Sequence, residues 1–342
     1  MLFASIAAQN TKELTCTFAT QSWTVITAKL NLYTCKLYNQ SIYDYGFTIT
    51  STSKTTTKGF SIANQKNVRF LPTNYGEKFP LLNALNIFNC SLQKIHSNAF
   101  ENLYKLKLIN LGKNEIATIE ENAFAHQFKL ESLILEYNNM EFISSNLFNS
   151  LESLINLSLG ENRIEMLSPK TFRNLKNLEN LKLRNNKIQY LHEDLFSTLL
   201  NLKDLNLRNN KVDVINPKLF DRNSNMVNLW LDDNNIKFIK PNTFQNVTAL
   251  EFVGLGFNDC INADFKVPYL IDLEKFLEKN CLPVEDLLTK KINAAHETLK
   301  TVRDSEKNLV EKLKMREMKL QTEILRSREL EKKLTECMKE QV

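Results

Sequence analysis

The sequence predicts an α/β solenoid: a parallel sheet built one strand per coil, closed at both ends, with a helical tail. Three observations predict it. Apolar residues recur at a fixed spacing of 24 residues from Leu82 onward. Cysteine pairs stand at both ends of the repeating region, Cys16 with Cys35 and Cys260 with Cys281. After Pro283 the chain loses Gly and Pro and turns into a Lys/Glu/Leu heptad pattern.

The repeat comes first because it decides the architecture. Leu82, Leu106, Leu130, Leu154, Leu178, Leu202, Met226 and Leu250 each open a unit. Leu85, Ile109, Leu133, Leu157, Leu181, Leu205, Leu229 and Val253 follow three residues later, and Ile87, Leu111, Leu135, Leu159, Leu183, Leu207, Leu231 and Leu255 two after that. This is the L-x-x-L-x-L-x-x-N-x-L pattern of leucine-rich repeats, eight units in register, and it predicts a horseshoe. The alternating x-L-x-L-x core reads as a short strand with its leucines inward. Stacked strands spaced about 4.8 Å apart give a concave wall roughly 40 Å long over eight units. No unit buries its own apolar face, so stacking must supply the core.

The other columns follow. Asn114, Asn138, Asn162, Asn186, Asn210, Asn234 and Asn258 are expected to satisfy the polar backbone of the turns, with Cys90 standing in at the first unit. Ile95, Ile119, Ile143, Leu167, Leu191, Ile215 and Ile239 hold one convex position. Phe100, Phe124, Phe148, Phe172, Phe196, Phe220 and Phe244 hold another, read as a buried spine rather than a binding stripe. Phe60, Ile62, Val68, Leu71 and Phe79 read as a divergent earlier coil, preceded by an exposed polar loop, TSTSKTTTKG.

The ends need caps, because each exposes the core. Disulfides Cys16–Cys35 and Cys260–Cys281 are preferred over zinc, since these spacings are wider than C-x-x-C and no His clusters nearby. Sequons at Asn39, Asn89, Asn156 and Asn246 join the cysteines in favouring a secreted, extracellular route, with Asn156 placed on the concave wall. The opening MLFASIAAQN reads as the remnant of a signal segment, the alternative being a frayed apolar terminus. The expected organisation is thus a residual signal segment at 1–10, an N-terminal cap and polar loop at 11–57, repeats at 58–259, a C-terminal cap at 260–283 and a coiled-coil helix at 284–342.

In the tail, Leu288, Ile292, Ala295, Leu299, Val302, Leu309, Leu313, Leu320, Leu330 and Leu334 fall on the a/d seam, interrupted by Glu306, Arg316, Glu323 and Ser327. One helix of that length would span about 85 Å and needs a partner for its stripe. The options are a coiled coil with another chain or docking on the solenoid. Cys337 falls at d and is expected to link two tails, the alternative being an unlinked thiol inside the seam.

Composition excludes several classes. Hydrophobic residues at 43% and charged residues at 24% describe a folded chain. The net charge of +5 arises from intermixed signs, so nucleic acid is not an expected partner. No run of eighteen apolar residues occurs, so no membrane span is expected. His96, His126, His192 and His296 have no consistent carboxylate or Cys partner, and no phosphate loop, nucleophile elbow or metal motif occurs. No enzyme, cofactor or metal is expected. Asp232 and Asp233 read as a polar turn, not a calcium loop.

What remains is the concave wall. Its outward positions include Ile134, Tyr137, Lys182, Arg184, Asn206, Arg208, Trp230, Asp232, Phe252 and Phe257. Lys182, Arg184 and Arg208 are expected to form a basic patch, Asp232 and Asp233 an acidic one, with Trp230 between them. Exposed Trp and Arg are frequent binding anchors. Tyr137, Lys182, Arg184, Arg208, Trp230, Asp232 and Phe252 are therefore the candidate partner-binding residues.

Repeats, paired end cysteines and a heptad tail in one chain resemble the secreted leucine-rich-repeat immune proteins of mosquitoes and related flies. The resemblance covers most of the chain, although the repeats alone are shared with many extracellular receptors. It implies pairing through coiled coils and disulfides, circulation in haemolymph, and the carriage of complement-like thioester proteins. Family members often carry extra cysteines before the coil. Here only Cys281 lies near that junction, and closing the cap would consume it. The other functional class is an extracellular adhesion or developmental protein using the same wall.

Overall fold

The computed structural model describes residues 59–64, 68–69, 71, 75–97, 99–240, 242–266, 272–273, 275–277 and 281, positions 300 and 303, and the backbone of four strands between residues 13 and 50. The chain divides into two compact units, residues 1–282 and 283–342. The expected signal segment, Cys16, Asn39, the polar loop before Gly59, the heptad seam and Cys337 lie outside the described residues, as does the side chain of Cys35.

Twelve strands form one sheet in chain order. An antiparallel pair, β1 (Thr17–Val25) and β2 (Ala28–Leu37), opens it. Parallel strands follow: β3 (Gly59–Ala63), β4 (Ala84–Phe88), β5 (Leu108–Asn110), β6 (Ser132–Ile134), β7 (Asn156–Ser158), β8 (Asn180–Lys182), β9 (Asp204–Asn206), β10 (Asn228–Trp230) and β11 (Phe252–Gly254). The antiparallel β12 (Asp264–Lys266) ends it. Register follows the sequence period: Leu133 lies opposite Leu157, Leu157 opposite Leu181, and Leu181 opposite Leu205. The parallel wall holds the eight expected strands, β4 to β11, and β3 adds the divergent earlier coil. Phe60, Ile62, Val68 and Phe79 of that coil are fully buried.

The inward leucines and the phenylalanine column form one continuous core. Phe148, Phe172, Phe196, Phe220 and Phe244 stack with centroids 6.0–6.4 Å apart. Their planes lie within 19° of parallel, which the regular rise of the coils dictates. The convex side closes through short turns such as Leu103 N–H to Phe100 O at 3.3 Å. Within the first unit the complete described helix is the four-residue Tyr75–Lys78.

The asparagine column works as expected. Asn162 Oδ1 accepts from Met140 N–H at 3.2 Å, and its Nδ2 donates to Leu135 O and Leu159 O at 3.0 Å each. Asn138 and Asn186 repeat the arrangement. Each amide therefore ties its own turn to the coil before it. Cys90, in the same column, is buried, with Sγ 3.5 Å from Phe88 O.

A second periodic feature lies one position before each Asn. Asn89, Lys113, Tyr137, Glu161, Asn185, Asn209, Asp233 and Phe257 all have φ between 51° and 57°. From Asn89 to Asp233 this left-handed backbone aims each N–H at the following coil: Lys113 N–H meets Glu136 O at 2.9 Å, and Glu161 N–H meets Arg184 O at 2.9 Å. The conformation costs an L-residue roughly 1–2 kcal/mol. Here the ladder bond it completes holds it in place.

At the C-terminal end, Asp264 Oδ1 accepts from Leu255 and Gly256 N–H, both at 3.0 Å, and Asn262 Oδ1 accepts from Phe257 N–H at 2.8 Å. Side-chain oxygens here replace the carbonyls a further coil would supply. The disulfide Cys260–Cys281 and the Phe265–Phe276 contact at 5.7 Å close this end.

Candidate functional site

The concave wall carries a shallow depression of about 410 Å³ over β8 to β10. Three candidate partner-binding residues line it, Arg184, Arg208 and Trp230, with the expected outward Asn206, Asp233 of the expected acidic patch, and Asn185 and Asn209. Strand alternation puts Asn206 and Trp230 outward on their strands, in register with each other. Arg184 and Arg208 follow two residues after the outward strand positions Lys182 and Asn206. Asn185, Asn209 and Asp233 occupy the left-handed turn.

Arg184 lies across the next coil down. A Cβ on Gly160 would stand 3.1 Å from Arg184 Cγ, so the glycine makes room for the arginine stem. Its Nη1 donates to Glu161 Oε1 at 2.9 Å, and its Nη2 reaches the Tyr137 hydroxyl at 3.5 Å. Arg208 Nε stands 2.8 Å from Oδ2 of both Asp232 and Asp233. The expected basic and acidic patches are thus not separate: Arg208 pairs with Asp232 and Asp233, while Arg184 pairs with Glu161. Trp230 packs against Phe252 with centroids 5.7 Å apart, and Lys266 Nζ lies 5.5 Å from the Phe252 ring centroid.

Two expected positions need correction. Asp232, expected to face a partner, is 8% exposed. Gly254 beside it allows this: a Cβ there would meet Asp232 Oδ1 at 2.9 Å and Phe252 Cζ at 3.1 Å. Burial pushes the Asp232 carboxyl above its usual range, against the pull of Arg208. Asn156, expected as a concave glycan site, is 4% exposed, and its Oδ1 accepts from Asn180 Nδ2 at 2.8 Å. That burial leaves no room for a sugar. Asn246 is exposed, and Asn89 is half-buried with Nδ2 2.6 Å from Asn64 Oδ1.

The remaining candidates lie near the depression but do not line it. Lys182, Ile134 and Phe252 are half-buried on their strands. Tyr137 and Phe257 are exposed at the left-handed turn, five coils apart, and Lys113 Nζ sits 5.3 Å from the Tyr137 ring centroid. Asn185 and Asn209 were the lining residues that sequence reading missed. Their column repeats every 24 residues, but its residue types vary too much to announce a shared role.

Two histidines do have carboxylate neighbours. His96 Nδ1 is 3.2 Å from Glu120 Oε1, one coil on, and His192 Nδ1 is 3.7 Å from Asp194 Oδ2. Among the described residues no three His, Cys, Asp or Glu side chains gather in a metal-holding group. No helix among them is long and apolar enough to cross a membrane.

The chain belongs to the leucine-rich repeat family, whose model matches overlapping stretches from residue 80 to residue 259, more than half of the chain. No curated protein matches it. Among solved structures, that of a TLR13–ssRNA13 complex matches with a TM-score of 0.56 and 26% identity, over 59% of this chain and 29% of that one. The Drosophila Toll–Spatzle complex matches with a TM-score of 0.44 and 21% identity, over 64% of this chain and 38% of that one. The chain therefore spans well under half the length of either receptor chain.

Proposed function

We propose that this chain is a secreted binding module of innate immune recognition that holds a protein partner on its concave wall, with Arg184, Arg208 and Trp230 as anchors. The single observation that carries this reading is the depression where two arginines and a tryptophan converge on a rigid sheet. Such residues supply much of the binding energy at protein interfaces. The likeness to the TLR13 repeats supports a receptor-type role rather than catalysis.

The charge arrangement favours a protein partner over a nucleic acid. Both arginines are already engaged by carboxylates, Glu161 for one and Asp232 with Asp233 for the other. A polyanion is held by releasing counterions from unpaired cationic groups, and this surface offers few of them.

In the finer reading the partner is a complement-like thioester protein, and residues 284–342 pair two chains, with Cys337 linking the tails. The alternative is an adhesion or developmental ligand held by the same wall. Capture from insect body fluid by the immobilised full-length chain, followed by mass spectrometry, separates the two. Trp230→Ala and Arg208→Glu should each weaken capture about thirtyfold, as loss of roughly 2 kcal/mol requires, with circular dichroism unchanged. Undiminished capture by both variants would sink the concave site. Sedimentation of the wild type as a monomer would sink the paired tail.

A further inference from the structure

Four consecutive coils place an apolar side chain on one outward column. Phe142, Met166, Tyr190 and Val214 are 69, 49, 47 and 36% exposed. Each precedes a buried residue of the convex column, Ile143, Leu167, Leu191 or Ile215. Extended backbone alternates its faces, so the neighbour of an inward side chain points outward. Immediately before this column Glu165 N–H meets Glu141 O at 3.4 Å, tying the Phe142 and Met166 coils together. Single exposed apolar residues are ordinary, whereas four in register form a continuous stripe. None of the four lines the concave depression.

One border of the stripe is acidic. Glu141, Glu165 and Asp213 precede three of the four residues and are exposed, and Glu193 and Asp194 lie just beyond Tyr190. Among the described residues, Lys187 at 3.4 Å from Glu165 provides the single ion pair to that preceding row. Beyond that row lie Arg163, Lys187 and Lys211, so an occupant carries its positive charge on the edge that meets Glu141, Glu165 and Asp213.

Spacing selects the occupant's conformation. The rungs here lie between the concave strand spacing of about 4.8 Å and the 6.2–6.4 Å spacing of the phenylalanine column on the same coils, and the 5.4 Å turn of an α-helix falls inside that range. Same-face residues of an extended strand lie roughly 6.7 Å apart, outside it. We infer that the Phe142–Met166–Tyr190–Val214 flank is a docking surface for an amphipathic helix of a partner protein, about ten residues long, with Lys or Arg bordering its apolar stripe. This surface is distinct from the concave site and does not depend on it.

The test uses the full-length chain and a fluorescent 14-residue Leu/Lys amphipathic helix, with a Leu/Glu peptide of the same pattern as control. The variant is Phe142→Thr with Met166→Thr, because Thr118 already occupies this column in an exposed rung. Anisotropy should show the Leu/Lys peptide binding the wild type at least about tenfold more tightly than the double variant, and at least about tenfold more tightly than the Leu/Glu peptide binds. The double variant should still capture partner through the concave wall. Equal peptide binding by wild type and variant would overturn the proposal, as would equal binding of the two peptides. Self-association of the wild type that the double variant abolishes, without peptide binding, would also overturn it by assigning the flank to a second copy.

Discussion

Arg208 Nε stands 2.8 Å from Oδ2 of Asp232, the one carboxylate buried among the described residues. The contact opposes what burial does to that acid. Asp232 remains raised above its ordinary value, so the folded chain holds a proton that the unfolded chain has released. Stability therefore falls as pH rises from the ordinary carboxylate value through the raised one. Arg208→Ala should extend that loss to higher pH, and Asp232→Asn should abolish this contribution. Urea midpoints measured across pH 4–7 check both, and identical pH profiles for wild type and Arg208→Ala would refute the coupling.

Glu120 titrates in the opposite direction. Lys94 at 2.7 Å, then Ser97 N–H at 2.8 Å, hold its carboxyl down at about 2. A depressed acid contributes stability above its unfolded value and loses it as pH falls toward the folded one. Glu120→Gln should lower the urea midpoint at neutral pH and leave it nearly unchanged at pH 2. An equal deficit at both pH values would assign the effect to packing.

Asn162→Ala and Asn186→Ala should each cost at least about 1–3 kcal/mol, because each strands buried backbone groups in two coils. Thermal or urea unfolding checks this. Wild-type stability in either variant would remove the amide ladder as a source of cohesion.

Secreted protein should carry a glycan at Asn246 and none at Asn156. Intact-mass analysis of Asn246→Gln should show the loss of one glycan, and Asn156→Gln should show none. A sugar on Asn156 would mean that β7 is more open than its burial indicates.

Much of this fold was legible because one period governs it. The inward leucines, the amide column and the phenylalanine spine each repeat a single residue class, and the core must repeat where the coils stack. What escaped sequence reading lies where neighbouring side chains, not periods, decide. Asp232 shares a column with Arg184 and Arg208, yet it is buried because Gly254 leaves space beside it. Asn156 sits on the outward strand position and is covered by the Asn180 amide. The Phe142 column escaped because it holds Lys94, Thr118 and Phe238 as well, so its residue types announce no common role. The left-handed turn escaped for a related reason: Lys113, Tyr137, Glu161 and Phe257 are not residues that signal positive φ.

That turn separates shape from chemistry. From Asn89 to Asp233 its conformation is enforced by bonds between main-chain atoms of adjacent coils, and at Phe257 by the Asn262 side chain, while its side chains include a lysine, a tyrosine, a glutamate, an aspartate and a phenylalanine. A substitution there changes what the rim displays without asking the interior to repack. The solenoid thus holds a line of interchangeable letters on an unchanging frame, and new recognition can be written along it one coil at a time.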